Sequence, residues 1–324
     1  MINITLKQLR YYDALARELH FGRAAEACSV TQPALSMQIQ EFEQNLQMNL
    51  IERTRSGVQM TPQGEEVAAR AAKILSETRD LIDLARSGES VLSGALRFGV
   101  IPSIAPYVLP PLLPLLRREH PELELSLRET QTHGLVQELA DGKLDVLMLA
   151  LPIKHSDVEV EPLFADRFVL ALNGDRELTE DVRATPEFVE HERLLLLEEG
   201  HCLRDQALSY CELKQTEKLN TFGASSLGTI VELVAAGHGI TLLPEISIGV
   251  ETRGRRLKLM RFAEPEPQRN LGLVWRATSP RKSDFLELAR LVREASEPLI
   301  AAARKDIPQA IAAGPKASKR KKAR

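Results

Sequence analysis

Cys202 and Cys211 stand nine positions apart in EEGHCLRDQALSYC, residues 198–211, with His201 before the first and Arg204, Asp205 and Gln206 between them. Four roles suit such a pair: inert packing, metal ligation, a structural disulfide and a reactive dithiol. Structural zinc sites space their ligands two to four residues apart and close with four of them. One histidine and two cysteines nine apart do not fill that pattern, and no metal is expected. A lone cysteine packs as a small hydrophobe, and Cys28, among the alanines of RAAEACSV, reads that way. Packing stays open for the pair as well, but its neighbours favour reactivity. A thiol attacks as its thiolate, a form that cations and helix N-termini stabilise. His201 and Arg204 flank a cysteine that follows an extended run and opens a helix-like stretch. Cys211, between Tyr210 and Glu212, has less to activate it, which suits the second, resolving thiol.

Leu203, Ala207, Leu208 and Tyr210 suggest a helix over 203–211. In such a helix the two cysteines lie about 13.5 Å apart along the axis, whereas a disulfide tolerates a Cα separation of ~7 Å at most. A bond between them would require the helix to unwind, and the segment would then have two states.

Three cysteines in 324 residues make no secreted disulfide framework, so a reducing, cytoplasmic setting is expected. MINITLKQLRYYD carries charges where a leader needs an apolar core, and VLPPLLPLL is short and broken by proline, so neither leader nor membrane span is expected. The length suits two domains, and 44% hydrophobic with 27% charged residues is ordinary for a globular protein. The net charge of −3 hides an asymmetry: six basic residues in the terminal KASKRKKAR leave −9 on the chain before them. Residues 306–324 read as a basic, disordered tail that could touch phosphates nonspecifically.

The elements that must carry these residues begin with a helical head. Thr5 can cap a helix with an apolar stripe at Leu6, Leu9, Tyr12, Leu15, Ala16 and Leu19. RAAEACSV makes a second, short helix, and Thr31 can cap a third with Pro33 in its first turn. In that third helix Leu35, Ile39, Phe42 and Leu46 face the core. Gln32, Pro33, Ser36, Met37 and Gln40 are left outward. A helix-turn-helix sends its second helix N-terminus first into the major groove, so Gln32 and Ser36 would meet bases or phosphates there. LIERTRSGVQMTPQG then reads as a wing, placing Arg53 and Arg55 on the DNA backbone. Charge alone does not decide, because the basic residues of this stretch are matched by acidic ones, and any small helical bundle would share the pattern.

FGRAAEACSVTQPALSMQIQEFEQNL followed by ERT and TPQG closely resembles the winged helix-turn-helix of LysR-type transcriptional regulators, although Met37 stands where many members carry arginine. From Pro62 to about Ser90, Val67, Ala71, Ile74, Thr78, Leu81 and Ala85 form the a/d seam of a coiled coil whose expected partner is a second copy, although packing on the chain's own domain stays open. SGESVLSG is a hinge. Strand runs LRFGVI, LELSLRE, DVLMLAL, RFVLALN, LLLLEE, TFGASS, GITLLP and NLGLVWR then alternate with helix runs PYVLPPLLPLLRREH, HGLVQELADG, TIVELVAAG and SDFLELARLVREA. That order predicts an α/β domain with largely parallel sheets. DGKLDV and VAAGHGITLLP resemble the two-lobed, periplasmic-binding-protein-like effector domain of the same family. The expected organisation is therefore α/β with an all-α-rich head: a winged helix-turn-helix over 1–62, a linker helix and hinge over 63–91, and an effector domain over 92–305. Its first lobe would comprise about 92–165 and 268–305 and its second about 166–267, with crossings near 163–167 and 265–270 and a ligand cleft between.

GHCLRDQAL with a second cysteine at this spacing, together with ETQTHGLVQELADGKLDV and PEPQRNLGLVWR, narrows the resemblance to the hydrogen-peroxide-responsive members of the family. The resemblance implies that Cys202 is oxidised to a sulfenic acid and condenses with Cys211. It also implies that Ser103, Thr132, His201 and Arg269 line the peroxide pocket, Ser103 standing where relatives commonly have threonine. Hydroxyls can hold peroxide, and a nearby cation can stabilise charge on the leaving oxygen. The expected protein is a regulator of antioxidant genes and not an enzyme, with no cofactor. Its expected partners are double-stranded promoter DNA, hydrogen peroxide as signal, RNA polymerase, glutaredoxin or thioredoxin as reductant, and copies of itself in a tetramer. The rivals are a family member answering a small metabolite in the cleft, and a thiol peroxidase.

Overall fold

Residues 3–54, 57–86, 91–153, 155–177, 183–210 and 224–307 are described by the structure, a computed structural model. Helix α1 (Leu6–Glu18) starts where Thr5 directs it: the Thr5 hydroxyl accepts the Gln8 N–H at 3.2 Å, and Gln8 Oε1 accepts the Thr5 N–H at 3.0 Å. This reciprocal cap satisfies two donors a helix start otherwise leaves orphaned. Helices α2 (Phe21–Ala27) and α3 (Gln32–Leu46) follow, with Leu35, Ile39 and Phe42 buried as their period requires. Thr31 stands at the N-cap of α3, but its side chain makes no capping hydrogen bond. Strands β1 (Ile51–Thr54) and β2 (Gly57–Met60) pair antiparallel as the wing.

Helix α4 (Pro62–Arg86) crosses the head closely, and the Tyr12 hydroxyl donates to the Gly64 carbonyl at 2.9 Å. A Cβ at Gly64 would sit 2.0 Å from the Leu50 carbonyl oxygen, so glycine is what permits the crossing. Farther along, α4 docks on its own effector domain. Arg79 donates to the Gly142 carbonyl at 2.9 Å, and the Asp80 carboxylate accepts from Arg276 at 3.0 and 3.1 Å. The seam residues Ile74 and Leu81 stay exposed.

The effector domain has its own core, separate from that of the head. Its first lobe uses β3 (Gly94–Val100), α5 (Ala105–Glu119), β4 (Leu123–Glu129), α6 (Thr132–Ala140) and β5 (Val146–Leu151). Strand β6 (Val158–Asn173) leads to the second lobe, which holds α7 (Pro186–Glu190), α8 (Cys202–Tyr210), α9 (Leu227–Ala235), β7 (Thr241–Pro244), α10 (Ile248–Glu251) and β8 (Leu257–Arg261). Strand β9 (Gln268–Arg276) returns to the first lobe, where α11 (Lys282–Asp306) closes the domain. The strand order is β4-β3-β5-β9-β6-β7, with β8 also on β6.

The sheet corrects the expectation of largely parallel strands. Among the strands of the described residues β3 alone pairs parallel, with β4 and β5, and the β5–β9, β6–β9, β6–β7 and β6–β8 pairings are antiparallel, with three isolated parallel bridges besides. The cause is the double crossing: β6 carries the chain out of the first lobe and β9 brings it back, so the two run in opposite directions side by side. LLLLEE is likewise not a strand. Leu194 and Leu197 bridge singly to two different partners, Ile240 and Ala224, so no ladder builds up.

Candidate functional site

Cys202 is the first residue of α8 and a half-buried free thiol. Leu203 and Ala207 bury one face of the helix against the second lobe. The preceding loop turns at Gly200, with φ of +92°, and a Cβ there would lie 2.3 Å from Gln131 Oε1. Glycine thus lets the loop press against the start of α6 in the other lobe.

Ser103, Thr132, His201 and Cys202 come together around a cavity of about 10 Å³, about the least space that admits one water. Three helix starts converge there, since Ser103 stands just before α5, Thr132 opens α6 and Cys202 opens α8. Helix N-termini carry partial positive charge, so this arrangement suits a polar or anionic occupant of the cavity. The Thr132 hydroxyl oxygen is buried with no hydrogen-bond partner among the described residues, and is therefore available to an occupant. His201 is buried, its Nε2 3.9 Å from Glu198 Oε1. The Arg204 guanidinium turns to the Leu197 carbonyl, donating at 3.1 Å.

Arg269 stands behind Ser103 rather than on the cavity wall. Its guanidinium donates to the Ser103 hydroxyl at 2.8 Å, to the Ser103 carbonyl at 3.0 Å and to Asp166 Oδ2 at 2.9 Å. Because the Ser103 oxygen accepts from Arg269, its own O–H is left to donate elsewhere. Asp166 is the residue that sequence reasoning missed. It faces Arg269 in the β6–β9 register, and its Oδ1 accepts the Ile246 N–H at 3.2 Å. Both side chains of the pair are fully buried. Burial holds the Asp166 carboxyl above its ordinary range, with the Arg269 cation opposing in part. A larger cavity, about 690 Å³, also has Thr132 and Cys202 in its wall.

Cys211 and Arg55 lie outside the described residues, as does the side chain of Arg53, whose backbone pairs with Val58 in the wing. On α3, Gln32 and Pro33 are exposed and Ser36 is half-buried. Met37 is 61% exposed at the centre of the outward face. Among the described residues no cluster of three or more His, Cys, Asp or Glu could hold a metal ion, and no helix is long and apolar enough to cross a membrane.

Two family models match the chain: bacterial regulatory helix-turn-helix protein, lysR family, over residues 6–65, and LysR substrate binding domain over residues 89–297. The chain belongs to the LysR family. This LysR regulator is 42% identical over 297 residues to a probable hydrogen peroxide-inducible genes activator of Streptomyces viridosporus, covering 91% of this chain and 95% of the relative. Among solved structures it is similar to a full-length OxyR variant of Pseudomonas aeruginosa, with a TM-score of 0.77 and 37% identity over 90% of this chain and 98% of that one. It is also similar to a hydrogen-peroxide-bound mutant OxyR of Corynebacterium glutamicum, with a TM-score of 0.64 and 34% identity over 94% and 98% of the two chains. As a LysR regulator it joins a DNA-binding head to a two-lobed regulatory domain, and it is a regulator rather than an enzyme.

Proposed function

We propose that this LysR regulator is a cytoplasmic peroxide sensor that controls antioxidant genes through Cys202. The observation that carries the reading is the thiol at the start of α8, bordering a cavity of about 10 Å³ with Ser103 and Thr132. The Cys202 thiolate attacks one peroxide oxygen, the O–O bond breaks, and the departing hydroxide takes a proton to leave as water. The product is a sulfenic acid. The Cys211 thiolate then attacks that sulfur, a second water departs, and the disulfide forms. Thr132 and Ser103 hold the peroxide, the Arg269 cation stabilises developing charge through Ser103, and His201 orients the loop. Glutaredoxin or thioredoxin restores the dithiol.

Oxidation changes structure because the distance forbids the bond. From Cys202 to Tyr210, the ends of α8, the helix rises about 12 Å. Residue 211 is one Cα step of about 3.8 Å beyond Tyr210. Its Cα therefore stays at least about 8 Å from that of Cys202 while α8 is intact, outside the ~7 Å limit of a disulfide. Bonding must unwind α8.

At the other end of the chain, Gln32, Pro33 and Ser36 approach base edges and phosphates of promoter DNA, and Arg53 and Arg55 hold the backbone. Copies associate through the exposed seam residues of α4, Ile74 and Leu81, into tetramers that engage RNA polymerase. Footprinting a target promoter with wild type, Cys202→Ser and Cys211→Ser protein, before and after equimolar peroxide, tests the reading. Only the wild type should shift its footprint durably. An unchanged peroxide response in Cys202→Ser would sink it and favour the rival regulator that answers a metabolite in the larger cavity.

A further inference from the structure

The small cavity is not the sole approach to the Cys202 sulfur. The cavity of about 690 Å³ has Cys202 and Thr132 in its wall too, so both spaces border the same two residues. Its remaining surface is largely apolar, with Val136 from α6 and Ala150, Leu151, Pro152 and Ile153 at and beyond the end of β5. The polar part of its wall comes from His133, His155 and, on α8, Asp205, Gln206 and Ser209. Hydrogen peroxide leaves nearly all of this space unused. A hydrocarbon group gains by leaving water for such a surface, and pockets of this size hold organic molecules.

We propose that organic hydroperoxides are a second class of oxidant for Cys202, the hydrocarbon group seated in the larger cavity and the hydroperoxy end at the sulfur. The inference rests on Cys202 being the peroxide-reactive thiol. The thiolate attacks the terminal oxygen of ROOH, its electron pair forms the S–O bond, and the O–O bond breaks. The terminal proton stays on the new sulfenic acid, and the alkoxide takes a proton from solvent to leave as ROH. Sulfur is oxidised by two electrons and the hydroperoxide reduced by two. Displacement in line drives the leaving oxygen away from sulfur, so R needs room beyond the reacting oxygen. The larger cavity supplies that room and the smaller does not. The Thr132 hydroxyl can donate to the leaving oxygen.

The test uses the reduced full-length protein mixed with equimolar hydrogen peroxide or cumene hydroperoxide, with Cys202 oxidation followed by mass spectrometry. Val136→Phe and Ser209→Trp each put bulk into the larger cavity at residues that do not line the smaller one. Ser209 is exposed, so its variant spares the core. Cumene hydroperoxide should oxidise the wild type, and each variant should slow that reaction about tenfold or more while the hydrogen peroxide rate changes by less than about threefold. The proposal is overturned if cumene hydroperoxide leaves Cys202 reduced while hydrogen peroxide oxidises it, if neither variant slows it, or if both variants slow the two oxidants alike. If neither oxidant touches wild-type Cys202, the peroxide-sensing reading itself falls and the proposal falls with it.

Discussion

Asp166 and Arg269 hold each other in an interior that water does not reach, and the pair can stay there because every charge is answered. Arg269 serves Asp166 and both oxygens of Ser103, and Asp166 takes the Ile246 N–H besides. Removing one partner strands the other charge. Asp166→Asn should therefore destabilise the protein by about 3–5 kcal/mol in chemical denaturation, and should slow Cys202 oxidation because Ser103 loses its fixed guanidinium. Thr132 predicts the opposite balance. Its hydroxyl oxygen has no partner among the described residues, so the isosteric Thr132→Val should change stability by no more than about 1 kcal/mol. The same variant should slow the reaction with peroxide about tenfold to hundredfold. A large stability loss without a rate effect would remove Thr132 from the site. Ser103, Thr132, His201 and Cys202, which line one cavity, were reached through IPS, QTH and GHC by the family resemblance. Asp166 was not, since nothing in LFADRF marks it, and only its register opposite Arg269 gives it a task.

The elements show why some sequence patterns speak and others do not. Helices α5, α6 and α9 keep an apolar period that local reading detects, whereas the first half of β6 is masked by Pro162 and the register shift between Pro162 and Phe164. Strand β8, LKLMR, is too short and too charged to stand out, and it exists because β6 offers it an edge. The run LLLLEE has strand composition but no single strand to pair with. Contacts between such irregular segments carry stability with a definite pH dependence. The Arg176 guanidinium beside Glu192, just beyond α7, holds the Glu192 carboxyl below the usual carboxylate range, with burial opposing. Because the folded value is depressed, the stability from this carboxylate is complete above the ordinary range near 4.5 and is lost as pH falls through the lower folded value. The pair is partly exposed, so its worth is within about 1 kcal/mol. Glu192→Gln should melt earlier than wild type at neutral pH, and that difference should close in acid. A difference independent of pH would assign the effect to packing instead.

For the molecule as a whole, the question is how a change at α8 reaches the DNA. The lobes are tied by the Tyr107 hydroxyl of α5, which donates to Glu251 of α10 at 2.8 Å, and by Arg269, which spans from Asp166 to Ser103. The first lobe is tied in turn to α4 through Arg276 and Asp80. On the free side of α4, Leu81 is 66% exposed and Ile74 is 47% exposed, apolar surface that a second copy can bury. Leu81→Glu should shift the protein to smaller species in sedimentation and weaken binding to paired half-sites. An unchanged oligomer would place the interface elsewhere. The long helix α4 was legible from spacing, which leaves packing on the chain's own domain open; the contacts that dock it were not legible, because Asp80 and Arg276 are distant in sequence, and of the seam residues Ala71 is buried in the head's core. The central claim is that oxidising Cys202 and Cys211 rebuilds the segment between them. Hydrogen-exchange mass spectrometry of the protein before and after one equivalent of peroxide tests it directly. Protection across residues 203–210 should disappear in molecules that carry the 202–211 disulfide and return on reduction. A disulfide formed in full while those amides remain protected would contradict the account.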